Sequence, residues 1–336
     1  MEALVCLEPG KLKLTEMAAP KAGPEMALVR PHRVGICGTD YHIFEGKHPY
    51  LEYPRVMGHE LAVEIVESPA GTKLAPGDIC VVNPYLSCGH CVACRAGKPN
   101  CCTNISVLGV HQDGGMAGLL ALPPGNLIPA GGLTTDECAT VEFLAIGAHA
   151  VRRGGITGND RALVVGAGPI GLGVAIFAKR AGAAVTVLDV DPERTEVANA
   201  VAKVETVAAG TDASRAVELI TDGEGFDVVF DATGNQKAMV NGFEFVAHGG
   251  RYVLVSVVKD SISFSDPDFH RKEMTLLGSR NASSADFEDV IAAIKGGEVP
   301  VDRLITHRTS LRDAVRDIPL WATQKNGLIK ALIEID

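Results

Sequence analysis

The sequence predicts an α/β protein in two parts, an all-β unit with irregular loops followed by a doubly wound parallel sheet. Three observations carry this. Up to about residue 147, short apolar or alternating runs are broken by Pro-Gly, Gly-Asp and Gly-Thr pairs. From about residue 161, strands alternate with helical stretches, the pattern of a parallel sheet covered by helices on both faces. Where the first of these strands meets its helix stands GAGPIGLG, a glycine-rich turn.

In the first part, Leu28–Arg30, Leu61–Val66 and Ile79–Asn83 read as strands. In the second, Arg161–Val165 is a short apolar strand and a helix runs to about Arg180. Ala184–Leu188 is the next strand, followed by a helix from about Pro192 to Ala202. Phe226–Phe230 and Arg251–Val257 read as further buried strands. After Leu276 one helix is clear. Ser283 or Ser284 can cap it, Phe287, Val290, Ile291 and Ile294 share a face, and Gly296-Gly297 stops it. There is no internal repeat and no low-complexity tract.

Composition bounds the function. A chain of 336 residues fits two domains, and 46% hydrophobic residues suffice for a sizeable core. The net charge of −10 without a basic run argues against nucleic acid or an anionic membrane as partner, and aromatics at 5% argue against base stacking. No apolar stretch reaches the roughly 18 residues of a membrane-spanning helix. The start, MEALVCLEPGKLKL, lacks the basic and apolar regions of a signal peptide, so the expected address is the cytoplasm. In that compartment nine cysteines point to metal or catalytic use rather than disulfides.

The glycine turn has a specific chemistry. Gly166 permits a tight turn, Gly168 lets the backbone approach a pyrophosphate, and Gly171 allows the helix to pack closely on the strand. Pro169 and Ile170 open that helix, whose free N–H groups and dipole favour an anion. Asp189, 18 residues past Gly171 at the end of the second strand, suits the ribose hydroxyls of NAD and repels the 2′-phosphate of NADP. Asp191 is the rival position. Arg194 could support an adenosine phosphate, which keeps NADP open.

Two groups of residues suit zinc. Cys88, Cys91, Cys94 and Cys102 place four thiols within fifteen residues, in a loop with Gly89, Gly97 and Pro99. Four thiolates close a tetrahedral shell, so such a site is structural. Cys101 could replace Cys102, and His90 in the same loop reads as solvated. The second group is dispersed: Cys37 in GICGTD, His59 and Glu60 in VMGHE, and Glu142 in TVEFLAIGAHA. Thiolate, imidazole and carboxylate are zinc donors, and three protein ligands leave a position open for catalysis.

In these residues the chain resembles the zinc-containing medium-chain dehydrogenases, the alcohol and polyol dehydrogenase family. GICGTDYHIF, Gly58-His59-Glu60, GDIC near Gly77, the cysteine lobe, Glu142 and GAGPIGLG follow the family order. The resemblance implies a GroES-like β catalytic domain over 1–147, a Rossmann NAD-binding domain over 148–282, and a return to the catalytic domain over 283–336. It implies that Cys37 and His59 hold a catalytic zinc with either Glu60 or Glu142 as third ligand. It implies that Asp40 hydrogen-bonds the zinc histidine, that Thr39 and His42 relay the proton, and that Thr233 in DATGN lies at the cofactor. One catalytic and one structural zinc per chain, NAD, and a homo-oligomer, tetramer or dimer, follow in the same way.

The segment Asp268–Ser283, with DATGN at Asp231–Asn235, is similar to the L-galactonate and L-gulonate 5-dehydrogenase-like branch and to sorbitol and galactitol dehydrogenases. That implies oxidation of a secondary hydroxyl on a sugar acid or polyol. Arg271, Lys272 and Arg280 read as solvated or cofactor-contacting side chains. The sharper reading gives one of them a substrate carboxylate, which a guanidinium pairs well. L-Threonine or a simple alcohol would need the same chemistry. A non-enzymatic NAD-responsive regulator would need a broken metal site, and none is visible.

Overall fold

The computed structural model describes residues 1–48, 51–208, 213–324 and 327–335. They form two compact units, Met1–Phe143 with Ser283–Asp336, and Leu144–Ala282. The chain changes unit inside the helix Thr135–Gly154. That helix has no counterpart among the expected elements. Most of its residues past the first turn are buried, so it carries no polar stripe by which to recognise a surface helix.

The first unit is built on a seven-stranded sheet. Its strands run in the order Leu127–Pro129, Ile79–Val82, Glu60–Glu67, Ala27–Ile36, Lys330–Glu334 and Ile305–Ser310, and Leu120–Leu122 pairs with the end of Ala27–Ile36. All pairings are antiparallel except that between Ile305–Ser310 and Lys330–Glu334. The central strand Ala27–Ile36 contains Pro31, which has no N–H for the ladder. The register shifts between Pro31 and Arg33, a bulge that absorbs the missing donor. Leu4, Val29, Val34, Ile65, Val82 and Ile318 are among the buried side chains of this core. Each such burial contributes about 1.5–3 kcal/mol.

The second unit is a six-stranded parallel sheet. The order is Glu205–Ala208, Ala184–Asp189, Arg161–Val165, Phe226–Asp231, Val246–Leu254 and Thr275–Gly278. Numbered along the chain this is 3-2-1-4-5-6, the doubly wound order, with its switch point between Arg161–Val165 and Phe226–Asp231. The strand expected over Arg251–Val257 is displaced. It starts at Val246, bulges at Gly249-Gly250, and ends at Leu254, leaving Val257 89% exposed. Among the described residues no helix is long and apolar enough to cross a membrane.

Candidate metal centres and nucleotide-binding turn

Sheet register assembles the dispersed group. The strand Ala27–Ile36 ends beside Cys37, which caps the helix Gly38–Phe44. Gly35 pairs with Glu60 on the adjacent strand. A Cβ at Gly35 would stand 2.1 Å from Glu60 Oε2, so only glycine lets that carboxylate lie here. On the other side Ala331 pairs with Ile36, which brings in Lys330. Lys330 Nζ donates to Glu60 Oε1 at 2.7 Å and Oε2 at 2.6 Å, and to the Ile36 carbonyl at 3.2 Å. It also lies 4.4 Å from the centre of the Phe143 ring.

Ligand atoms of Cys37, His59 and Glu60 all lie within 4.8 Å of one another. His59 and Glu60 are buried, and His59 Nδ1 has no hydrogen-bond partner. A thiol, an imidazole with an unsatisfied ring nitrogen and a carboxylate, converging in a buried place, fit a zinc ion. Burial opposes a charged His59, yet Asp40 and Cys37 beside it hold its pKa well above the usual value.

Asp40 departs from expectation. Its Oδ1 is 3.9 Å from His59 Nδ1, too far for a hydrogen bond. Its oxygens instead accept the N–H of Cys37 at 2.9 Å and of Gly58 at 3.3 Å. It fixes the backbone at Cys37 and just before His59 rather than gripping the imidazole. Thr39 Oγ1 is 3.8 Å from Cys37 Sγ, and His42 is exposed one turn further along the helix.

Glu142 is buried near this group but outside the convergent three. Tyr85 donates its hydroxyl to Glu142 Oε1. Burial lifts the Glu142 carboxyl to about 7; Glu60 adds to the rise, while His59, Tyr85 and Lys330 oppose it.

The second group closes on itself. Sγ–Sγ distances are 3.5 Å for Cys91–Cys94, 3.9 Å for Cys91–Cys102 and 3.5 Å for Cys88–Cys102. A tetrahedron with Zn–S bonds of about 2.3 Å has edges of about 3.8 Å, so the spacing is that of a ZnS4 shell and far from a disulfide. The N–H groups of Cys88 and Asn104 point at Cys102 Sγ, both at 3.3 Å. Backbone N–H groups of Cys94 and Thr103 pull the Cys91 thiol down to about 5, toward the thiolate a metal takes. Cys102, not the exposed Cys101, completes the shell, and His90 is exposed.

In the second unit the glycine turn sits at the switch point. Gly166 has φ +98°, and a Cβ at Gly171 would stand 1.8 Å from the Gly166 carbonyl oxygen. Gly168 caps the helix Pro169–Arg180 with Pro169 and Ile170 in its first turn, leaving its first N–H groups available to an anion. Asp189 ends its strand almost fully buried. Its Oδ2 accepts the Ala167 N–H at 2.7 Å and its Oδ1 the Asp191 N–H at 3.0 Å. It therefore braces the turn, and carboxylate lone pairs remain for a ribose. Asp191, the rival, caps the next helix by accepting the Glu193 N–H at 2.9 Å, and its carboxylate stands 3.7 Å from Arg194. Thr233 donates from its N–H and its hydroxyl to Asp231, with its methyl beside Gly166.

Comparison with known proteins accords with this geometry. The sequence profile of the alcohol dehydrogenase GroES-like domain matches residues 23–132, and that of the zinc-binding dehydrogenases matches residues 169–296. The chain is 43% identical over 337 residues to L-galactonate-5-dehydrogenase of Escherichia coli K12, covering 99% of this chain and 98% of the relative. The chain belongs to the zinc-binding dehydrogenases. Two solved structures agree in fold. An alcohol dehydrogenase of Escherichia coli CFT073 in complex with NADH has a TM-score of 0.92 and 28% identity, covering 99% of both chains. A zinc-binding dehydrogenase of Sinorhizobium meliloti bound to NADP has a TM-score of 0.90 and 29% identity, covering 99% of this chain and 98% of that one.

Sequence reasoning missed two residues of this zinc-binding dehydrogenase. Lys330 sits in the otherwise apolar run KALI of its strand, and a lysine there is a signal in itself, because buried lysines are rare unless paired. Tyr85, three positions before Cys88, gave no such signal. Two of the three cations offered for a substrate carboxylate are occupied within the second unit. Arg271 stands 3.2 Å from Asp268, and Lys272 donates to the carbonyls of Glu244 at 3.1 Å and Val246 at 2.7 Å.

Proposed function

We propose that this chain is an NAD-dependent dehydrogenase that oxidises a secondary alcohol of a sugar acid or polyol, with L-galactonate and L-gulonate the foremost candidates. The convergence of Cys37, His59 and Glu60 within 4.8 Å carries the reading. A zinc ion held there supplies Lewis-acid polarisation of the reacting oxygen. Cys37 and His59 bind the ion with Glu60 as the third ligand, and Lys330 keeps the Glu60 carboxylate in place. Glu142 stands beside the centre on its tyrosine tether. Thr39 takes up the proton of the substrate hydroxyl and passes it to His42, whose exposed imidazole releases it to solvent.

The helix N-terminus behind Gly168–Gly171 takes the cofactor pyrophosphate, and Asp189 takes the ribose hydroxyls. The acid at that position favours NAD over NADP. The four-cysteine lobe holds a second zinc in a structural role. The protein works in the cytoplasm, a reducing compartment that keeps thiols available to metal. It acts as a dimer or tetramer, and the six-stranded sheet offers edge strands for pairing.

Formation of NADH across L-galactonate, L-gulonate, sorbitol, galactitol, L-threonine and simple alcohols tests the reading. The highest kcat/KM should fall to a sugar acid. A maximum on L-threonine or a primary alcohol would keep the chemistry and replace the substrate class, and no turnover on any secondary alcohol would refute it.

A further inference from the structure

Two buried carboxylates stand near one metal centre, and they are restrained by different means. Glu60 carries a matched cation, Lys330, on both oxygens. Glu142 has none: among the described residues no cation comes within ion-pair distance of it, and the neighbour of its Oε1 is the hydroxyl of Tyr85. A carboxylate so placed would be drawn to a divalent ion unless something held it back. Tyr85 can hold it because Tyr85 is itself packed and hydrogen-bonded on several sides. It is 8% exposed, and its ring packs edge-on against Phe287 with centroids 6.4 Å apart and an angle of 74°. Its N–H donates to Asn83 Oδ1 at 3.1 Å, and its strand Tyr85–Leu86 pairs with Ser106–Val107. Asn126 Nδ2 in turn donates to the Asn83 carbonyl at 2.8 Å. These contacts set where the phenol starts and which way it points.

We infer that Tyr85 is a positioning residue of the metal centre, whose hydroxyl tethers Glu142 so that Glu60, rather than Glu142, makes the third protein contact with the ion. The inference rests on the proposed ligand set of Cys37, His59 and Glu60. Loss of the phenol oxygen frees Glu142 to displace Glu60 or to crowd the open position. Residues that orient metal ligands from outside the coordination shell typically change metal affinity or activity about 10–100-fold when removed.

The test uses cobalt(II)-substituted enzyme, whose visible absorption reports the ligand set. A difference against His59→Ala protein isolates the bands of this site. Tyr85→Phe should alter those bands, retain two metal ions per chain, and lower kcat by about 10–100-fold. In a Glu142→Gln background the same substitution should do nothing further, since the group it restrains has lost its charge. Tyr85→Leu, which also lacks the hydroxyl and leaves Glu142 at full length, should reproduce the spectral change and serves if Tyr85→Phe does not fold. Unchanged bands in the folded variants, with or without a loss of thermal stability, would overturn the inference and leave the ligand set standing. A wild-type chain that binds one metal ion, or whose bands survive in His59→Ala, would overturn the ligand set and the inference with it.

Discussion

Lys330 and Glu60 stand 270 positions apart in the chain and meet with Nζ 2.7 and 2.6 Å from the two carboxylate oxygens, the lysine 2% exposed and the glutamate 0%. The pair joins the C-terminal strand to the strand that begins at the metal centre. Buried ion pairs add little net stability against apolar substitutes, but breaking one leaves a charge stranded. Lys330→Met should therefore destabilise the metal-stripped protein by about 3–5 kcal/mol. The loss should be smaller with zinc bound, because the ion replaces the missing positive charge. Lys330→Met/Glu60→Gln should recover part of the loss. Chemical denaturation of both forms measures each quantity, and equal losses with and without zinc would separate Lys330 from the metal centre.

The cysteine lobe predicts a different pattern. Cys88→Ser or Cys94→Ser should remove one zinc per chain and lower the thermal midpoint, while the NAD site of the second unit still binds cofactor. Metal analysis alongside cofactor titration checks this. Retention of both zinc ions would show that the four sulfurs do not form one shell.

Asp189 accepts the Ala167 N–H of the glycine turn, and in the proposed function it also accepts from the cofactor ribose. Asp189→Ala should weaken NAD by about 10–100-fold, the loss of a charge-assisted hydrogen bond worth about 1.5–3 kcal/mol. It should weaken NADP less, since the repulsion of its 2′-phosphate disappears. Cofactor titration by fluorescence gives both constants, and an unchanged NAD-to-NADP ratio would assign discrimination elsewhere.

Acid stability has a definite sign at Asp136. Burial alone would raise its carboxyl, but Arg308 at 2.6 Å and Arg33 at 2.8 Å hold it below the usual range. A carboxyl depressed in the folded state contributes stability that is present above its unfolded pKa of about 4 and is lost as pH falls through the folded value. Asp136→Asn should thus lower the thermal midpoint at neutral pH and flatten its fall below about pH 4. Parallel pH profiles of variant and wild type decide it.

Much of this was legible in the sequence because local patterns determine it. The helix Pro192–Ala202 and the strand Arg161–Val165 lie where proline, capping and apolar runs place them. The cysteine lobe is equally local. Contacts set by strand register were not legible. Nothing in the residues around Glu60 announces Lys330, whose approach depends on Ala331 pairing with Ile36. Nor could spacing reveal that Asp40 spends its oxygens on the backbone of Cys37 and Gly58. The helix Thr135–Gly154 hid for the opposite reason, since a helix buried on nearly every side has no periodic signature.

In the proposed function Cys37 and His59 share one ion on which turnover depends. Metal content and NADH formation on L-galactonate, determined together for wild type, Cys37→Ser and His59→Ala, test it directly. Two zinc ions per wild-type chain, one in each variant, and turnover in wild type alone are predicted. Variants that keep both ions, or that still reduce NAD, would contradict it.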